Sequence, residues 1–139
     1  MEQISRLLVI LYAIKFYSKD IHYNARGEIF FSDHLLADRV VDDLDNIIDD
    51  INENLYLGFE HNAPTSKEVL KAVEQALPPV PTDIHQAWKN LYGLITDGLN
   101  IIEGIEADYD MPPLNSLLDT TADLLQKKRG LVWRRKLSI

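Results

Sequence analysis

The chain contains no cysteine. That excludes disulfides, thiolate-bound zinc and thiol nucleophiles, and it fits a reducing interior. Nor does it hold an apolar run fit for a membrane: Leu7–Ile14 is far shorter than the roughly 20 residues a spanning helix needs. The run follows Glu2 and Arg6 and has no small-residue cleavage site after it. It therefore reads as a buried helix and not as a signal peptide, and a cytoplasmic location is expected. Basic residues are scarce, with 14 Lys and Arg against 22 acids and a net charge of -8. This balance speaks against nucleic acid, whose affinity rests on Lys and Arg meeting phosphates, and favours attraction of cations. No Gly-rich phosphate loop, serine triad, zinc motif, internal repeat or low-complexity segment is present.

What remains is a helical pattern. At 139 residues the chain is long enough for one domain with a sizeable core. A dense apolar series from Ile4 to Ile14 predicts a first helix over about 3–24. After a polar connection containing Gly27, Ser32 is read as the N-cap of a second helix over about 33–57, with Asp33 favourable in its first turn and Gly58 at its end. Thr65 and Glu68 form a capping box for a short helix over 66–76. Pro78, Pro79 and Pro81 close that helix, and Thr82 or Asp83 caps a third long helix over about 83–106. Gly93, Gly98 and Gly104 lie inside it, where close approach of another helix explains them. Pro112 and Pro113 open the last helix, which runs to about 136. Two helix pairs joined by a long crossover describe an all-α, ferritin-like four-helix bundle with a short extra helix in the crossover.

The candidate chemistry lies on the second helix. His22, His34, Asp38, Asp49 and Glu53 are all suitable ligands for a hard or borderline metal such as iron. Counting about 100° per residue from His34, the acids Asp38, Asp45, Asp49 and Glu53 fall between roughly 20° and 100°, and the apolar residues from Val40 to Leu55 fall between roughly 220° and 340°. The ligands thus point away from the core of their own subunit. His34 and Asp38 are one turn apart, as are Asp49 and Glu53, but the two pairs are separated by ~22 Å along a straight helix. A second copy packed antiparallel across a two-fold axis brings one pair to the other, twice per dimer. A solvated acidic face is the competing explanation, since Asp42, Asp43 and Asp50 share the helix. No Glu-x-x-His motif of the kind used by di-iron bundles is present.

The stretch from His22 through Tyr23, Gly27, Phe30 and Phe31 to His34, followed by Asp38, Asp49 and Glu53, resembles the Dps family, the mini-ferritins or DNA-binding proteins from starved cells. The spacing matches that family's pattern at each of the five ligand positions. Asp119 and Trp133 look like family positions further on. The resemblance implies a single domain over 1–139, a hollow shell of twelve subunits, and Fe(II) oxidation at inter-subunit ferroxidase sites, with hydrogen peroxide as the typical oxidant and ferric mineral held inside. Carried over by position, His22, His34 and Asp38 bind iron from one subunit, and Asp49 and Glu53 bind it from the two-fold mate. Two positions depart from the pattern. Tyr23 stands where members often have Trp, and Asn54 where they usually have Arg.

Two further groups stand out. Asp119 and Asp123, joined by Glu106, Asp108 and Asp110, form either an acidic pore that guides cations inward or ordinary charge at a helix start. Residues 127–139 hold six basic groups, Lys127, Lys128, Arg129, Arg134, Arg135 and Lys136, and no acid. They are either partners of the helix dipole or a nucleic-acid element. Twelve copies at -8 would together carry about -100, so DNA binding is expected to be weak or absent. Trp88, Tyr92 and Trp133 are read as packing residues, and His61 and His85 as surface residues. The expected function is an iron-oxidising, iron-storing cage that protects against oxidative damage. The alternative is a non-enzymatic cage of the same kind that binds DNA or another partner.

Overall fold

In the computed structural model, which describes residues 2–79, 81 and 83–137, every regular element is helical and no strand occurs among the described residues. The helices are α1 (Glu2–Asn24), α2 (Phe30–Val41), α3 (Leu44–Asp50), a π-helical segment (Ile51–Leu57), α4 (Ser66–Ala76), α5 (Ile84–Asp108) and α6 (Pro112–Leu137). No helix among the described residues is long and apolar enough to cross a membrane.

One continuous core holds these elements together. Leu7, Leu8, Leu11 and Ile14 of α1 meet Leu91, Ile95, Ile102 and Ile105 of α5, with Leu118 and Leu125 of α6 closing the far side. α1 is the central element and packs against α2, α3, α4 and α5, while α5 lies along α6. The short helix α4 starts as its residues dictate. The Thr65 hydroxyl accepts from Glu68 N at 3.2 Å and Glu68 Oε1 accepts from Thr65 N at 3.1 Å, a reciprocal cap. Those bonds favour the ionised carboxylate and hold Glu68 below its ordinary range. Asp83 caps α5 by accepting from His85 N and Gln86 N. Thr82, the other candidate cap, lies outside the described residues.

The second long helix departs from expectation. It begins at Phe30, not after Ser32. Gly27 takes a positive φ of 98°, Phe30 N donates back to Gly27 O at 3.1 Å, and the chain enters the helix three residues early. Ile29 occupies the N-cap position with no side-chain bond, and Ser32 sits inside the helix. The helix is also not continuous to residue 57. Asp42 adopts an extended conformation and Asp43 the left-handed one, with φ 66°, which Asp tolerates better than most residues. α3 then restarts at Leu44. Beyond Asp50 the chain changes to π-helical winding, marked by Gly58 N donating to Glu53 O and His61 N to Tyr56 O. Such insertions recur at functional sites.

Lys128 explains where the break falls. Lys128 is 4% exposed as a residue, reaches across from α6, and donates through its ammonium to Asp42 O at 2.6 Å and Arg39 O at 3.1 Å. Asp42 O is a carbonyl that the end of a helix leaves without an intrahelical partner, and Arg39 O, which already accepts from Asp42 N at 3.3 Å, gains a second donor. Burial holds the Lys128 pKa below its ordinary value, against the pull of Asp42 and Asp43.

The three helical glycines divide. A Cβ on Gly98 would lie 3.1 Å from Leu125 Cδ1 and 3.4 Å from Ile10 Cγ2, so this glycine does permit close approach of α1 and α6. Gly93 and Gly104 face open space, and close approach does not account for them.

Candidate metal centre

The two candidate histidines meet where α1 ends and α2 begins. His22 Nδ1 lies 2.7 Å from His34 O, and His34 Nδ1 lies 2.6 Å from His22 O. A carbonyl can only accept, so each Nδ1 carries the proton and donates. In its neutral form each ring then keeps its lone pair on Nε2. The rings stack with centroids 3.7 Å apart and planes 15° from parallel. Two nitrogen ligands are thereby fixed in tautomer and orientation, the arrangement that backbone carbonyls commonly impose on metal-binding histidines.

Both rings are partly exposed, and their surroundings are unusually apolar for a surface. Tyr23 packs edge-on to His22 at 5.2 Å, and Phe31 lies 6.3 Å from His34. Tyr23 is 69% exposed and Phe31 61%, and Ile29, Phe30 and Leu35 are about half exposed.

The carboxylates are less closely gathered. Asp38, Asp49 and Glu53 are exposed, and none forms an ion pair or side-chain hydrogen bond among the described residues. Asp45, on the same predicted face, is taken up by Lys15 at 2.6 Å. Among the described residues no three His, Asp or Glu side chains stand together in a metal-binding group. Asp38 therefore does not join the histidine pair within the chain, and Asp49 and Glu53 stand beyond the break at Asp42–Asp43. The single uniform helix that put all four residues in one phase is replaced by two α-helical pieces and a π-helical one.

The C-terminal basic cluster is largely occupied within the fold. Arg135 Nε donates to Asp33 Oδ1 at 2.6 Å, with Asp33 fully buried. Asp33 stands in the first turn of α2, as its sequence position implies, and it also anchors α6. Lys128 is buried as described. Lys136 lies 4.4 Å above the Tyr92 ring with Arg129 at 6.0 Å from the same ring, and Arg134 lies 5.7 Å from Trp133. Lys127 pairs with Asp123 one turn away at 3.3 Å. Lys128 and Arg135 are thus withdrawn from any phosphate-binding role. Trp88 is fully buried, whereas Trp133 is 42% exposed and is not a core residue of the chain.

Of the acidic-pore candidates, Asp119 stands close enough to Glu106 to share a hydrogen bond. That bond, with burial and the Asp119 charge, raises the Glu106 pKa above its ordinary value. Asp108 and Asp110 accept instead from Gln3 and Asn115. Sequence reasoning missed the roles of Asp33 and Lys128, since each depends on a partner about ninety or more residues away. The chain matches no known family profile and no curated protein.

Proposed function

We propose that the chain is a subunit of a mini-ferritin-like cage that binds Fe(II) as substrate, oxidises it with hydrogen peroxide or oxygen, and stores the ferric product. The observation that carries this reading is the reciprocal His22–His34 clasp, which engages both Nδ1 atoms with backbone carbonyls and leaves the Nε2 of each stacked ring without a hydrogen bond among the described residues. Two neutral imidazoles suit a borderline ferrous ion, and carboxylates favour the ferric product. The clasp supplies two donors, too few for a closed site, and the unpartnered carboxylates Asp38, Asp49 and Glu53 are the natural remainder. Completion by a second copy is supported by the apolar rim of Tyr23, Ile29, Phe30, Phe31 and Leu35, which another protein surface would cover. The ferritin-like bundle and the twelve-subunit shell belong to this proposal, on the strength of the Dps-like spacing from His22 to Glu53.

In the reaction each of two ferrous ions gives up one electron. Peroxide accepts both, its O–O bond breaks, and hydroxide forms. Iron and peroxide are consumed together, which prevents the one-electron reaction that yields hydroxyl radical. Binding of DNA by the C-terminal cluster is not favoured, because two of its six basic groups, Lys128 and Arg135, are held inside the fold and the chain as a whole is acidic.

The test is anaerobic loading with Fe(II) followed by peroxide, read as ferric absorbance and residual peroxide, beside the solution mass. Stoichiometric loss of both reagents by a species near twelve chains is the expected result. His34→Ala with Asp38→Ala should slow oxidation strongly and leave the assembly intact. Undiminished oxidation in that double variant would falsify the assignment.

A further inference from the structure

Asp33 has no solvent access, yet it is charged and multiply held. Its Oδ1 accepts from Arg135 Nε at 2.6 Å and from Trp88 Nε1 at 3.1 Å, and Arg135 Nη2 lies 3.3 Å from Oδ2. The three residues come from the first turns of α2, the second turn of α5 and the last turns of α6. A buried ion pair is a poor means of adding stability, since apolar residues of similar volume commonly do as well. What such a pair fixes is geometry, because a forked guanidinium meets a carboxylate in few orientations.

The geometry at stake lies one residue on. Asp33 and His34 share a peptide unit, and His34 engages His22 at both ends. Its ring donates to the His22 carbonyl, and its own carbonyl accepts from the His22 ring. Ring stacking at 3.7 Å therefore depends on where the first turns of α2 sit against the last turn of α1. Local sequence holds that start loosely: it follows an exposed turn at Gly27 and lacks a side-chain cap. We infer that Asp33, gripped by Arg135 and Trp88, is a positioning residue that fixes the His22–His34 clasp and so presets the ferrous-ion site; the metal half of this inference rests on the function proposed above. The end of α6 and the start of α5 thereby help hold a site to which they contribute no ligand.

The test uses the metal-free full chain. Long-range nitrogen–proton NMR of the histidine rings reads the tautomer directly, and a Co(II) titration reads the metal site. In the wild type both His22 and His34 should carry the proton on Nδ1. Arg135→Gln should move His34 towards the Nε2–H tautomer and weaken Co(II) binding by about tenfold, the lower end of what loss of a supporting partner costs a metal site. Arg135→Lys, which keeps the charge but loses the fork, should recover part of both. If Arg135→Gln does not fold, Trp88→Phe removes one donor from Asp33, retains the ion pair and should shift the same signals by less. A folded Arg135→Gln chain with unchanged tautomers and unchanged Co(II) affinity overturns the positioning role. A wild type that binds no Co(II) overturns the metal reading instead, and the tautomer shift still decides whether Asp33 positions the clasp.

Discussion

Replacing Lys128 by Met tests the account of the broken second helix. Lys128 is buried, and its ammonium donates to Asp42 O at 2.6 Å and Arg39 O at 3.1 Å. Each hydrogen bond from a charged group contributes about 1.5–3 kcal/mol. Arg39 O retains a second donor, Asp42 N at 3.3 Å, so its loss is the smaller. Against these losses stands relief from burying a charge, which is why the Lys128 pKa lies below its ordinary value, and Met recovers the apolar packing of the stem. The net expectation is a loss of about 2–3 kcal/mol in urea unfolding. The pH dependence has a definite sign. With the folded pKa lowered, the folded state binds fewer protons than the unfolded state in the window below the ordinary lysine value of about 10.4. Wild-type stability should therefore gain a rising contribution as pH climbs through that window, and the Met variant should lack it. A loss under about 0.5 kcal/mol, the range of neutral surface changes, together with a pH profile like the wild type's, would refute the reasoning.

Gly93→Ala and Gly104→Ala should each stabilise the chain by up to about 1 kcal/mol in thermal or urea unfolding, since both lie inside α5 facing open space and Ala is the better helix former. Gly98→Val should cost about 1–3 kcal/mol in the same assay, because its side chain meets Leu125 and Ile10 at once and overpacks the core. Asp43→Gly should raise stability by about 1 kcal/mol through relief of the left-handed backbone at φ 66°, with an unchanged helical circular dichroism spectrum. Glu106→Gln keeps a hydrogen-bond donor beside Asp119 and removes the like charge. The folded Glu106 pKa is raised, so the wild type loses stability as pH rises through that value. The variant should therefore be the more stable above the carboxylate range, by no more than about 0.5 kcal/mol at so exposed a position, and the difference should vanish in acid.

The sequence by itself determined the helical class, the approximate span of four of the helices and the caps of two. Those features are local: apolar positions at helical period, Thr65 with Glu68 three residues on, Asp83 ahead of α5, and proline where helices start or stop. It also named two histidines, His22 and His34, among five candidate ligands. The tertiary structure alone decided how that pair is held, because the reciprocal carbonyl bonds form only when the two helix ends meet. It decided equally that the second long helix breaks at Asp42–Asp43. Helical periodicity runs unbroken across that point, and the group that satisfies the exposed carbonyls, Lys128, is 86 residues away from Asp42. The same holds for Asp33: its identity suited a helix start, but its environment was set by Arg135, 102 residues on. Local pattern fixes which backbone bonds form nearby, while the fate of a buried charge depends on whatever the fold carries to it.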